Sequence, residues 1–231
     1  MRTSLSDPPA VAVPLHVRVD PVRASHKRVR NVAVLFADIQ GCTRLCEDLS
    51  PREMNRVIER YFSCFLDVVR DKGGEITEIL GDGLLALFEG SNPRENAVRA
   101  VSTALEIQRA AAELNATEGR RHDPIVVHIG INAGPALVGM TRLRGRMGER
   151  GFYSVTGSVT NIAARLCALA TRGQILVSVT MAEYLRGTYK LRALGPRVLK
   201  NVSGRVEVFE VLPNEGGSEL PLPSARTRTD G

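Results

Sequence analysis

Two aspartates, an amide and a guanidinium stand where side chains could meet a charged ligand. Asp38 closes the apolar run 31–38 (NVAVLFAD), directly before a glycine-containing turn, 39–43 (IQGCT). Asp82 lies between two glycines in 81–83 (GDG). If the fold brings these two points to one sheet edge, the carboxylates either share a proton or hold a divalent cation. An oxygen-only donor set favours magnesium or manganese over zinc. The turn adds backbone N–H groups ahead of a helix, a nest for phosphate oxygens. Asn161 and Arg165 are four residues apart on a helical stretch. They share a face and present an amide beside a planar cation, a pairing suited to a ribose and a phosphate. Each of these residues also has a plain structural role: Asp82 suits a hairpin tip, Asp38 the start of a helix, and Asn161 with Arg165 a solvated helix face.

The segments that must position them follow from periodicity and punctuation. The run 31–38 predicts a buried strand. Ser50-Pro51 caps a predicted helix over 51–72, with Met54, Val57, Ile58, Tyr61, Phe62 and Phe65 as its apolar stripe and Gly73-Gly74 as its stop. Strands over 75–80 and 84–88 flank the 81–83 turn, a strong hairpin signal. An alanine-rich helix is expected over 93–116 and a strand over 125–133. Residues 141–152 read as an Arg- and Gly-rich excursion before a short strand at 153–156. A third helix over 159–170, a strand at 175–179, a short helix at 180–185 and strands near 189–194 and 206–212 complete the chain. The order β-α-β-β-α-β with carboxy-terminal additions predicts an α+β fold: a ferredoxin-like core, one antiparallel sheet with helices on one face.

Composition narrows the class. The 231 residues are 43% hydrophobic and 24% charged, the balance of a globular chain, and tryptophan is absent, so the core falls to Leu, Val, Ile and Ala. Apolar runs stay well short of a membrane span, and the first 30 residues lack the continuous apolar stretch of a secretory signal. The net charge is +6, but residues 1–30 alone carry a surplus of four and 214–231 a deficit of one. The remainder is an ordinary surface, which argues against nucleic acid as a partner. The expected organisation is a flexible basic tail at 1–30, a globular unit at 31–213 and a disordered tail at 214–231. Cys42, Cys46, Cys64 and Cys167 have no C-x-x-C spacing and sit in apolar segments, so buried thiols in a reducing, cytoplasmic setting are expected. The four histidines form no H-E-x-x-H pair, and His128 falls within a strand as a packing residue. No G-x-x-x-x-G-K-[ST] loop occurs and no G-x-G-x-x-G follows a strand, which removes P-loop and dinucleotide-binding chemistry.

Three segments together carry a resemblance. F-A-D-I-Q-G-C-T (36–43), E-I-L-G-D-G (78–83) and T-G-S-V-T-N-I-A-A-R (156–165) resemble the signature segments of class III nucleotidyl cyclases, in the family's order and spacing, over about residues 31–213. The resemblance implies conversion of a nucleoside triphosphate to its 3′,5′-cyclic monophosphate and pyrophosphate, with two divalent cations (Mg²⁺ or Mn²⁺) per site. It implies that Asp38 and Asp82, with the Ile39 carbonyl, hold the cations. Gly41, Cys42 and Thr43 would cradle phosphate, Asn161 would orient the ribose, Arg165 would stabilise charge on the α-phosphate, and Lys200 would bind the triphosphate. It further implies a homodimer with two shared sites, and a dimerisation arm at the loop bearing Arg142, Arg144, Arg146 and Arg150. Cys42 departs from the family, which commonly has Phe there. Related diguanylate cyclases carry a G-G-D/E-E-F hairpin that is absent here. A catalytically silent nucleotide-binding module is the remaining rival class, and such modules lose one of these residues, whereas this chain keeps them all.

The base is read at two positions in this family, here Glu78 and Ser154. A carboxylate accepts from both the N1–H and the exocyclic amine of guanine, but faces a lone pair on N1 of adenine. A serine hydroxyl serves either base, donating to O6 or accepting from N6. The pair tilts toward GTP, with ATP as the alternative substrate. With only 30 residues ahead of the domain, a switch is expected to be a partner, a small ligand, pH, bicarbonate or a region outside this sequence.

Overall fold

The computed structural model describes residues 27–40, 49–118, 123–146 and 148–213. Strand β1 (Arg28–Ile39) is followed by α1 (Pro51–Asp71), the hairpin β2 (Glu75–Leu80) and β3 (Gly83–Glu89), and α2 (Pro93–Glu118). Then come β4 (Val127–Gly145), β5 (Gly148–Thr156), α3 (Ser158–Leu169), β6 (Ile175–Ser178), α4 (Val179–Leu185), β7 (Leu191–Val198) and β8 (Arg205–Val211). The sheet runs β2-β3-β1-β4-β6-β8-β7, with β5 on β4. Its first four strands with α1 and α2 are the expected ferredoxin-like core. β1 lies beside the hairpin, pairing antiparallel with β3 and β4.

Both faces of β1 are buried, which is why 32–37 reads as an unbroken apolar run. Ala33, Leu35, Ala37 and Ile39 join Tyr61, Phe65, Ala97, Val101 and Ala104 beneath α1 and α2. Val32 and Val34 turn the other way, joining Leu85, Leu87, Tyr153, Val155, Val159 and Ala163. The capping box at Ser50 holds as the Ser-Pro start suggested: Glu53 N–H donates to Ser50 Oγ (3.4 Å) and Ser50 N–H to Glu53 Oε2 (2.9 Å).

The core's helices lie on one face, as expected: α1 and α2 share it, while α3, among the carboxy-terminal additions, covers the opposite face. β6, likewise beyond the core, pairs parallel with β4 in an otherwise antiparallel sheet. The excursion expected over 141–152 is a hairpin instead: β4 continues to Gly145, and β5 returns in register from Gly145↔Gly148 to Leu137↔Thr156. Arginines on an exposed ribbon hide the strand from a hydropathy reading, while ladder hydrogen bonds form regardless of side chain. For the same reason β1 begins at Arg28 rather than 31, with Arg28 opposite Val138. The remainder of the 1–30 tail and the tail at 214–231 lie outside the described residues. No helix among the described residues is long and apolar enough to cross a membrane.

Candidate active site

Asp38 is the penultimate residue of β1, opposite Gly83 of β3 and His128 of β4. It follows Val32, Val34 and Phe36 in the period of two, so it belongs to the face that α3 covers. The Ile39 N–H donates to the Asp82 carbonyl (3.1 Å), tying the hairpin tip to the end of β1. Gly81 makes that turn in the left-handed region (φ +63°), and a Cβ on Gly83 would stand 3.3 Å from Asp38 Oδ1. Glycines on both sides of Asp82 therefore form the turn and leave room for the neighbouring carboxylate. Burial, and after it the Asp82 charge, push the Asp38 carboxyl up to about 6.

Two like charges held together beside a backbone turn form a hard-oxygen donor set. Among the described residues no group of three or more His, Cys, Asp or Glu side chains is arranged to hold a metal ion. A cation here would draw its other ligands from main-chain carbonyls, water and substrate oxygens, the habit of magnesium rather than of a closed zinc site. Asp38, Asp82 and the Ile39 carbonyl fit that requirement.

Sequence reading set His128 aside as packing, but its place is more specific. It is half-buried beside Asp38, and its Nε2–H donates to Gln40 Oε1 (2.9 Å), while Gln40 N–H donates to the Val126 carbonyl (2.8 Å). These bonds hold Gln40, the last described residue of this segment. The strand period would have placed His128 opposite Asp38 had the β1–β4 register been known. Burial lowers the His128 pKa, favouring the neutral ring. The Cys167 thiol donates to the His128 carbonyl (3.2 Å), and burial, then the Asp38 charge, raise its pKa far above the ordinary thiol range. Cys167 is thus a packing thiol, as expected. Gly41, Cys42 and Thr43 lie outside the described residues.

Asn161 and Arg165 are on α3, whose buried residues Val159, Ala163, Leu166 and Cys167 face the sheet. At about 100° per residue, Asn161 and Arg165 fall on the opposite side of the helix, away from their own Asp38 and Asp82. The first turn is held from below: Asn132 Nδ2 donates to the Val159 carbonyl (3.3 Å), and Ser178 Oγ donates to Asn132 Oδ1 (2.6 Å). Lys200 is exposed in the turn between β7 and β8, next to Leu199, which clusters with Leu166 of α3 and with Ala170 just past its end.

Glu78 is re-aimed by an irregularity that the sequence does not announce. The β2–β3 register shifts between Ile76 and Glu78, leaving Glu78 opposite Leu85. Leu85 belongs to the face that carries α3 and Asp38, so the bulge at Thr77 turns Glu78 to that face. β5 folds over the same face and approaches β2, with Tyr153 and Val155 packed on it and the Tyr153 hydroxyl donating to Glu89 Oε1 (3.2 Å). Ser154, between them, turns away. It is 6% exposed, opposite Gly139, and its hydroxyl lies 2.6 Å from Thr141 Oγ1.

The single chain therefore brings Asp38 and Asp82 together and sets Glu78 and Ser154 on strands that meet, while Asn161 and Arg165 face elsewhere. Comparison with known proteins agrees with this architecture. The family model for the adenylate and guanylate cyclase catalytic domain matches residues 24–212. An adenylate cyclase of Mycobacterium tuberculosis is 30% identical over 164 residues, 71% of this chain and 35% of that protein. The chain thus spans about a third of the length of that curated relative. The crystal structure of the guanylyl cyclase Cya2 superposes with a TM-score of 0.73 at 31% identity, covering 86% of this chain and 100% of that one. The adenylyl cyclase CyaB from P. aeruginosa shares the fold, with a TM-score of 0.77 at 23% identity over 84% of this chain and 100% of that one.

Proposed function

The chain belongs to the adenylate and guanylate cyclase catalytic domain family, and from that premise we propose that it cyclises a purine nucleoside triphosphate, GTP ahead of ATP, at two sites shared across a homodimer. The 3′-oxygen attacks the α-phosphorus, its proton leaves to solvent, and the bond to the bridging oxygen of the β-phosphate breaks, releasing the cyclic monophosphate and pyrophosphate.

The observation that carries this reading is the division of labour on one chain. Asp38 and Asp82 are juxtaposed on one surface, whereas Asn161 and Arg165 stand on the outer side of α3. A second copy arranged head to tail brings one chain's Asn161 and Arg165 to the other's carboxylates. Leu143 and Phe152, 58% and 41% exposed on the β4–β5 hairpin, supply apolar surface for that contact.

In each site Asp38, Asp82 and the Ile39 carbonyl would hold two Mg²⁺ or Mn²⁺ ions. When bound, these would supply acidification of the 3′-hydroxyl and charge neutralisation along the triphosphate. Asn161 fixes the ribose by hydrogen bonding, so that the 3′-oxygen points at phosphorus. Arg165 donates to the α-phosphate oxygens, where negative charge grows in the transition state. Lys200 and the backbone of Gly41, Cys42 and Thr43 hold the remaining phosphates.

Glu78 accepts from N1–H and the 2-amino group of guanine, and the Thr77 bulge that turns it to the Asp38 face supports the assignment. The ATP reading has a specific point in its favour, since the Mycobacterium relative is called an adenylate cyclase. The test is incubation of the purified protein with each of ATP, GTP, CTP and UTP plus Mn²⁺ or Mg²⁺, with products resolved by mass. Cyclic GMP with pyrophosphate is expected to dominate. Dominant cyclic AMP would replace the GTP assignment, and nucleotide binding without any product would make the chain a silent module.

A further inference from the structure

We propose that Thr141 is a specificity-determining residue, one that fixes the polarity of the Ser154 hydroxyl and so makes it a donor toward the base. The proposal rests on the cyclase reading above and on the base-reading position that the family resemblance gives Ser154. Thr141 is opposite Phe152 and Ser154 opposite Gly139, so the two hydroxyls form a diagonal cross-strand pair on one face of the hairpin. Their oxygens are 2.6 Å apart, and Ser154 Oγ also lies 3.4 Å from the Gly139 carbonyl oxygen. Among the described residues Thr141 Oγ1 has no other hydrogen bond.

Each hydroxyl has one proton to place, and the count of acceptors decides the direction. If Ser154 donated to Thr141, the Thr141 proton would have no acceptor in the protein, at a half-buried position where an unmet donor is costly. If Thr141 donates to Ser154, both protons are placed, and the Ser154 proton points to the Gly139 carbonyl. At 3.4 Å that second bond is beyond the usual range for O–H···O and is easily exchanged for a better acceptor. Guanine O6 is such an acceptor, and the 6-amino group of adenine is not. Gly139 has no side chain to block the approach. The short bond from Thr141 thereby converts an ambiguous serine into a guanine reader that acts with Glu78.

The measurement is kcat/KM for GTP, ATP and ITP on the wild type, Thr141→Val, Thr141→Ser and Ser154→Ala, with thermal midpoints for each. ITP keeps O6 and N1–H but lacks the 2-amino group, so it separates the Ser154 contact from part of the Glu78 contact. Thr141→Val should lower both the GTP/ATP and ITP/ATP ratios, by about 3- to 10-fold, the span of one hydrogen bond. Thr141→Ser should restore them. Thr141→Ala gives the same readout if valine is not accommodated. Equal losses with all three nucleotides in Thr141→Val would show a structural role and overturn the proposal. A ratio that moves in Ser154→Ala but not in Thr141→Val overturns it while leaving the cyclase reading intact. Absence of cyclic product from the wild type with every nucleotide would overturn the cyclase reading and, with it, this one.

Discussion

Asp38 shows what a half-buried carboxylate, here a proposed site residue, costs the fold that holds it. Its carboxyl is pushed up to about 6 by burial and by the Asp82 charge, from a model-peptide value of 3.8. Between these values the native chain binds more protons than the unfolded chain, so stability falls as pH rises through that window. Above about 6 the penalty is fully present. Asp38→Asn removes the charge and keeps the shape. In chelator at pH 7.5 it should raise Tm by roughly 2–4 °C, corresponding to about 1 kcal/mol after allowing for a carboxylate half in solvent. The same variant should lose turnover and the stabilisation that Mn²⁺ confers on the wild type. Calorimetry with and without Mn²⁺ tests both expectations, and a lower Tm in chelator would show that the Asp38 charge supports the fold.

At the scale of elements, the site depends on how closely α3 lies on the sheet. A Cβ on Gly130 would stand 2.2 Å from both the Ala163 carbonyl oxygen and the Cys167 nitrogen, helix backbone that cannot move aside alone. Gly130→Ala should therefore lift α3, destabilise the chain by roughly 2–4 kcal/mol and cost activity at permissive temperature, because Asn161 and Arg165 move with the helix. Urea unfolding monitored by far-UV circular dichroism measures the first effect, and an unchanged midpoint would mean the helix has slack. The β2 bulge and the β4–β5 ribbon serve the proposed site in the same way: one turns Glu78 to the Asp38 face, the other brings β5, which carries Ser154, up to β2.

At the scale of the molecule, the complete site belongs to a pair of chains in the proposed arrangement. Asp38→Ala and Arg165→Ala homodimers should each lose at least roughly 10²–10³ in kcat. Mixing them in equal amounts and allowing exchange puts about half of the dimers in the mixed state, each with one intact site. Close to a quarter of wild-type activity is then expected. Sedimentation confirms that mixed dimers form, and mixed dimers without recovered activity would rule out the shared site.

Much of this was legible in residue order. The run 31–38, the GDG turn and the Ser-Pro cap report local physics, apolar burial, turn conformation and an unmet N–H, so they mark β1, the hairpin and α1 without tertiary help. Asp38 and Asp82 fall at the ends of such elements and were visible as a pair for that reason. What the order of residues could not contain is whatever depends on pairing between distant segments. The Thr77 bulge is a mismatch between two strands, not a property of either. The 141–152 ribbon is held by a backbone ladder that arginine side chains conceal. His128 reaches its place beside Asp38 only through the β1–β4 register, and Thr141 meets Ser154 only through the β4–β5 register. Sequence alone determined which groups are available and on which local elements, because those are nearest-neighbour properties of the chain. Tertiary structure decided which of them face one another, because register, bulges and the choice of sheet face are settled by long-range hydrogen bonding and packing.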